Sequence, residues 1–250
     1  MNQTDYDDAA AAAFQASREL PDDGLDDWRA AIARHLAPRP GMRVLDLGAG
    51  TGAWATALAS WYGVSVVAVE PSAAMRARAR CPGLVAGDGA ALPLGPATVD
   101  GAWLSTVIHH LPDLAAAARE LRRVLRPGAA VLIRSAFPGR HQRIGVFRYW
   151  PEAIAVLDTF PSVAKVCAAF AQAGFRYAAL EPVPQVTAPS LAAVAASVRR
   201  EAHTPLMRIS DDAYRAGLAR LRATAADAEP GPVIDALDLL VLRAGRTTAR

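Results

Sequence analysis

"VLDLGAGTG", residues 44–52, is the stretch on which the fold turns. A short apolar run gives way to three glycines, and Trp54, Leu58 and Trp61 then follow at helical spacing. The apolar run reads as a buried parallel strand, and residues 52–61 as the helix after it. Gly48, Gly50 and Gly52 allow a tight turn and let a ligand approach the backbone closely. The motif alone leaves two readings open, because Gly48-x-Gly50-x-x-Ala53 also fits the dinucleotide fingerprint G-x-G-x-x-A.

Outward from this turn the chain alternates. Val64–Val69 reads as a strand, Ala73–Arg80 as a helix, Leu84–Ala86 as a short strand and Val99–Thr106 as a longer one. Residues 112–126 form a helix with Leu114, Ala117, Ala118, Leu121 and Leu125 on one face, and Ala129–Ser135 is a fifth strand. Alternation of this kind builds a doubly wound parallel sheet. Residues 7–20 and 24–37 read as helices ahead of the first strand.

Beyond residue 136 the pattern loosens. Residues 138–160 mix arginine, proline and aromatics; a helix follows at 162–173, then a strand at Phe175–Leu180. A seventh strand is "LDLLVLRA", 237–244. The roughly fifty residues between these strands carry helical patterns at 189–200 and 210–226. Structureless loops of that length are uncommon, so the segment reads as a helical cap over a substrate. The whole reads as one domain over 1–250: a helical cover at 1–40, a cofactor-binding core at 41–137, and a substrate-side half at 138–250 with a helical insertion at about 186–232.

Composition narrows the class. The 250 residues are 52% hydrophobic, as expected of a soluble globular chain. No stretch reaches the roughly 20 uncharged residues of a membrane span. The start carries Asp5, Asp7 and Asp8 where a secretory signal would be basic and then apolar, which favours the cytoplasm. Two cysteines, Cys81 and Cys167, imply neither a disulfide framework nor a zinc cluster. The net charge of +3 comes with a single lysine, Lys165, and a single asparagine, Asn2. That bias suggests a GC-rich genome, so the arginines say little about nucleic acid.

Three acids fall at successive strand ends, on the edge where such sheets bind ligands. Asp46 lies two residues before the first glycine. Glu70 closes the second strand, where a carboxylate can accept from both hydroxyls of a ribose. Asp88 follows the third, placed to accept from an adenine amino group.

With these acids in place, five motifs in order resemble the class I methyltransferases that use S-adenosylmethionine, in particular the quinone-biosynthesis (methyltransferase type 11) branch. They are "VLDLGAGTG", "VVAVEPSAAM", "GDGAALPL", "VDGAWLSTVIHHLPD" and "ELRRVLRPGAAVLI", covering roughly residues 40–137. The resemblance implies a Rossmann-like, seven-stranded, mostly parallel sheet whose last strand is antiparallel. It also implies S-adenosylmethionine as cofactor. By position, Gly48, Ala49, Gly50 and Gly52 would pass the methionine portion, and Asp46 would order the loop or the amino group through water. Glu70 would bind ribose, Met75 would pack near the adenine, Asp88 and Gly89 would recognise the base, and Leu104 would join the cofactor wall. Arg18 would pair with the methionine carboxylate.

In this family the residues after the fourth strand face the methyl, which makes His109 and His110 the candidate catalytic residues. A histidine can take a proton near neutrality; the bland alternative is that one of the pair caps the helix starting near Pro112. With no third histidine or paired cysteine nearby, no metal site is expected. The expected partner is a small-molecule substrate rather than nucleic acid. The fourth strand ends in "LSTV", not in the N/D/S-P-P-Y/F motif that grips exocyclic amines, and Cys81-Pro82 is in the wrong order and place for attack on cytosine. RNA or protein methylation, and a cofactor-binding member without methylation, are the alternatives. Monomer and homodimer are equally compatible.

Overall fold

The computed structural model describes residues 24–245; the helix read at 7–20, and Arg18 on it, lie outside them. Seven strands form one sheet in the order β3-β2-β1-β4-β5-β7-β6. They are β1 (Arg43–Leu47), β2 (Ser65–Glu70), β3 (Val85–Ala86), β4 (Val99–Ser105), β5 (Leu125–Ser135), β6 (Phe175–Ala188) and β7 (Val233–Ala244). β7 runs antiparallel to both its neighbours, β5 and β6, while the other pairings are parallel. This is the mixed Rossmann-like sheet the motifs imply.

β1 is buried over Val44–Leu47 on both faces, as a central parallel strand must be. On one face Leu45, Leu47, Leu104, Val131 and Ile133 pack against helices α4 (Leu114–Val124) and α7 (Val163–Gln172). On the other, Val44, Trp103, Leu132 and Val241 meet α1 (Asp26–Leu36) and α2 (Ala53–Tyr62). α1 is also tied to the sheet edge, where Glu181 of β6 accepts from Arg34 and pairs with His35, each at 2.7 Å. Between β2 and β3 the helix α3 spans only Ala73–Ala77, shorter than the Ala73–Arg80 read from the sequence.

β6 runs eight residues past the expected end at Leu180, through Pro182 and Pro184. A proline has no N–H to donate to a ladder. At the sheet edge, though, one row of N–H groups has no ladder partner, so proline is tolerated there. β5 likewise starts at Leu125 rather than Ala129, paired with Val99 across a register shift.

A third apolar cluster lies outside the sheet layers. It joins α5 (Gly145–Tyr149) and α6 (Glu152–Leu157), which the sequence pattern did not reveal, to α8 (Leu191–Ser197), α9 (Thr204–Met207) and α10 (Asp211–Ala226). Phe147, Tyr149, Trp150, Leu157, Leu206 and Leu221 are among its buried members. Tyr149 and Trp150 are therefore cap core. The cap is fastened to β7 where Asp235 accepts from Gly145 N–H at 2.7 Å and Ala236 N–H donates to Arg143 O at 2.8 Å. Among the described residues no helix is long and apolar enough to cross a membrane.

One glycine of the cap makes a sharp test. Gly217, inside α10, faces Trp150, whose Nε1 donates to Tyr214 O at 3.0 Å. A Cβ built on Gly217 would fall 2.1 Å from that Nε1. Glycine to alanine in a helix ordinarily stabilises by about 1 kcal/mol. Here overpacking against a fully buried indole should dominate, and Gly217→Ala is expected to lower stability by about 2 kcal/mol, measured by urea denaturation.

Candidate active site

The site is built at the carboxyl ends of β1, β2 and β4. β1 ends at Leu47 and the chain turns through Gly48, Gly50 and Gly52, all at positive φ (71°, 58° and 86°). Val69 O accepts from both Gly48 N–H (2.8 Å) and Ala49 N–H (3.1 Å), and Glu70 Oε2 accepts from Gly50 N–H at 2.9 Å. Glu70 Oε1 takes Ser72 N–H at 2.9 Å, while Ser72 Oγ caps α3 through Met75 N–H. One carboxylate thus joins the glycine loop to the start of α3. It is nearly buried, and desolvation raises its pKa against the opposing effect of these N–H groups.

Asp46 lies beneath the same loop, 1% exposed. Its Oδ2 has no hydrogen-bond partner among the described residues. Burial, and then the nearby Glu70, push its pKa to about 7, with the Ala55 N–H partly offsetting them. A buried acceptor without a donor is costly.

The glycines are also needed for space. A Cβ on Gly48 would lie 2.3 Å from Val107 Cγ2, and one on Gly52 would lie 2.1 Å from Cys81 Sγ. Arg80 N–H donates to Thr51 O at 2.9 Å, so the segment after α3 rests on the loop. The sequence linked neither Val107 nor Cys81 to the loop, because each reaches it only through the fold.

After β4 the backbone bends sharply at Thr106, a β-branched residue at φ 56°. Such strain costs about 1–3 kcal/mol and is characteristic of functional sites. Thr106 N–H donates to Arg134 O at 2.7 Å. The bend leads into a short 3₁₀ turn, Ile108–His110, that carries the histidine pair at the edge. Their rings lie 4.1 Å apart, and His109 stacks on Phe160 of the cap at 4.1 Å with the planes 5° apart. The cap of α4 is Asp113, whose Oδ1 accepts from Ala116 N–H at 2.9 Å. Helix capping is therefore not the work of either histidine.

Asp88 is exposed, its Oδ1 accepting from Ala90 N–H at 2.8 Å, and Gly89 is buried beneath Leu111. Met75 is buried at the start of the β2–β3 connection. Leu104, expected on the cofactor wall, is instead fully buried in the sheet core with Leu45, Leu47 and Ile108. Side chains alternate along β4, so Leu104 faces the α4 layer while Trp103 faces α1 and α2.

Residues 45–133 match the family model described as a methyltransferase domain. The chain is 38% identical over 129 residues to the demethylmenaquinone methyltransferase of Corynebacterium kroppenstedtii, covering 50% of this chain and 56% of that protein. It is 33% identical over 130 residues to the ubiquinone/menaquinone biosynthesis C-methyltransferase of Rubrivivax gelatinosus, covering 50% and 51%. The chain thus spans about half the length of these relatives. A solved structure from Anabaena variabilis, of a protein provisionally named a methyltransferase of an antibiotic biosynthesis pathway, aligns with a TM-score of 0.68. The alignment covers 91% of this chain and 99% of that one at 22% identity, and it shows the shared fold. Sheet order and glycine loop are Rossmann-like, and residues 45–133 match a methyltransferase domain, a type of domain whose cofactor is S-adenosylmethionine. The matched half of the chain is similar to the quinone-biosynthesis methyltransferases.

The residues present fit that cofactor. Asp46 Oδ2 is an unused buried acceptor suited to a cationic amino group, Glu70 keeps lone pairs for two hydroxyls, and the loop admits no Cβ at Gly48 or Gly52.

The buried acid has a consequence for the protein without ligand. Its folded pKa of about 7 lies well above the unfolded value near 3.8, so ionising Asp46 penalises only the folded state. The penalty is absent below about pH 4, grows between pH 4 and 7, and is constant above that. Asp46→Asn should therefore raise stability at pH 8, by at most about 4 kcal/mol, and leave it nearly unchanged at pH 4. Thermal melts across that range measure the difference.

Proposed function

We propose that this protein transfers a methyl group from S-adenosylmethionine to a small-molecule acceptor in cofactor or secondary metabolism. The observation that carries the reading is the buried, unsatisfied Asp46 Oδ2 under a loop that Val69 and Glu70 hold open. Asp46 would face the amino group, Glu70 the ribose hydroxyls, and Asp88 with Gly89 the adenine. Gly48, Ala49, Gly50 and Gly52 would supply a backbone bare enough to lie against the methionine portion.

When bound, the cofactor supplies a methyl already activated on a sulfonium. The protein's own task is alignment for in-line displacement and exclusion of water, and alignment is worth about 7–11 kcal/mol of such a barrier. In this reading the bend at Thr106 would direct His109 and His110 toward the acceptor, and the stack of His109 on Phe160 of the cap supports it. Either imidazole would take a proton leaving the acceptor, with His109 held by its stack on Phe160 and His110 tilted against it. The relatives named for demethylmenaquinone make a flat quinol-type acceptor the first to test. A soluble enzyme working in the cytoplasm, as monomer or homodimer, is part of the same proposal.

The histidine role is tested by replacing each with Gln, with turnover and S-adenosylhomocysteine affinity measured separately. A proton-accepting role predicts a fall in turnover of about 10²-fold or more in at least one variant, with affinity held within about threefold. Undiminished turnover in both would sink it.

The Asp46 role makes a separate prediction with its sign set by the same pKa. Below about pH 7 the empty site holds Asp46 protonated, and a cationic amino group must displace that proton. Affinity for S-adenosylhomocysteine should fall by up to about tenfold per pH unit below 7 and level off above it. Asp46→Asn should bind weakly at pH 8 and lose that pH dependence, as titration calorimetry would show.

A further inference from the structure

Asp88 stands in a tight turn between two glycines that have no room for a side chain. A Cβ on Gly87 would lie 2.7 Å from Val69 Cγ1 and 2.8 Å from Pro93 Cδ, and one on Gly89 would lie 2.8 Å from Leu111 Cδ2. Within the turn Asp88 Oδ1 accepts from Ala90 N–H at 2.8 Å, and Asp88 O accepts from Ala91 N–H at 3.1 Å. The arm that returns from the turn, residues 91–94, lies outside the named strands and helices. Ala91 and Pro93 on it are exposed, while Leu92 is buried.

Two side chains of α4 pin that arm. Glu120 Oε2 accepts from Leu92 N–H at 2.8 Å. Arg123 donates to two carbonyls of the arm, from Nη2 to Leu92 O at 3.1 Å and from Nη1 to Leu94 O at 2.6 Å. The same guanidinium holds Glu120 at two points, Nε to Oε1 and Nη2 to Oε2, each at 2.7 Å. Arg123 keeps the Glu120 carboxyl below its usual pKa, so the clasp stays charged at neutral pH. An exposed ion pair three residues apart on a helix ordinarily contributes little to stability. This one spends its charges on three backbone groups of a single short arm.

We propose that Glu120 and Arg123 are positioning residues for base recognition, holding the turn so that Asp88 faces an adenine amino group. The proposal rests on the methyl-transfer reading and adds to it the residues that set the base-recognising acid in place. A hydrogen bond to a base needs its acceptor held within about 0.5 Å. A short turn with exposed residues has few contacts of its own to achieve that, and the clasp supplies them. Both side chains act through the backbone of the arm.

The test is the preference for S-adenosylhomocysteine over S-inosylhomocysteine, which carries a carbonyl oxygen in place of the adenine amino group. Titration calorimetry at pH 8 measures both affinities. The native protein should prefer the adenine compound by at least about tenfold, as the loss of a hydrogen bond to a charged group implies. In Glu120→Ala and Arg123→Ala the preference should fall below about threefold. Glu120→Gln keeps an acceptor for Leu92 N–H and should be intermediate. A role in folding alone would weaken both ligands equally and leave their ratio at the native value, a result that overturns the proposal. Should the alanine variants not fold, a native ratio in both Glu120→Gln and Arg123→Lys overturns it. Equal binding of the two compounds by the native protein overturns it as well. A native protein that binds neither compound brings down the methyl-transfer reading itself, and the proposal with it.

Discussion

Everything at the site depends on how the turn from β1 to α2 is held. Three residues at positive φ cannot hold themselves in that shape, and β2 does it for them. Val69 O takes two loop N–H groups and Glu70 takes a third while also anchoring the start of α3. Holding the loop this way brings two carboxylates, Asp46 and Glu70, together in a desolvated place, and each has its pKa raised. The folded protein without ligand therefore stores electrostatic tension beneath the glycines. A cationic, hydroxyl-bearing ligand is the chemical complement of that tension.

The rest of the molecule completes the site from two directions. The sheet and its two helix layers make the carboxyl edge rigid, with Trp28, Trp103 and Ile32 fully buried on one side and Leu45, Leu104 and Phe170 on the other. The cap has its own apolar core and reaches back through Phe160 to His109. Two separately packed bodies thus meet at the histidine pair. The strained Thr106 between β4 and that pair is tolerated because Arg134 O holds its N–H and Gly48 lies against Val107.

Much of this was legible along the chain because the relevant signals are local. Apolar runs, the glycine spacing and an acid at the end of each strand all fall within short windows, so the core strands and the candidates Asp46, Glu70 and Asp88 could be read directly. Where the reading missed, the deciding contact was distant. β6 extends beyond Leu180 through Pro182 and Pro184 because it is the edge strand. Leu104 changes side because strand alternation is counted from neighbours on β1 and β5. Residues 138–160 hid two short helices whose aromatics are buried only once α9 and α10 pack over them.

The sequence by itself determined the succession of strands and the main helices between them, the glycine turn and the row of acids, since these follow from periodicity and residue type within a few positions. Only the tertiary structure decided that Asp46 has an unsatisfied oxygen, that His109 is clamped by Phe160 and that Arg134 sits between Trp28 and Trp54. Burial, stacking and cation–π contact join residues that lie far apart along the chain, and their energies exist only once the folded sheet has brought those residues together.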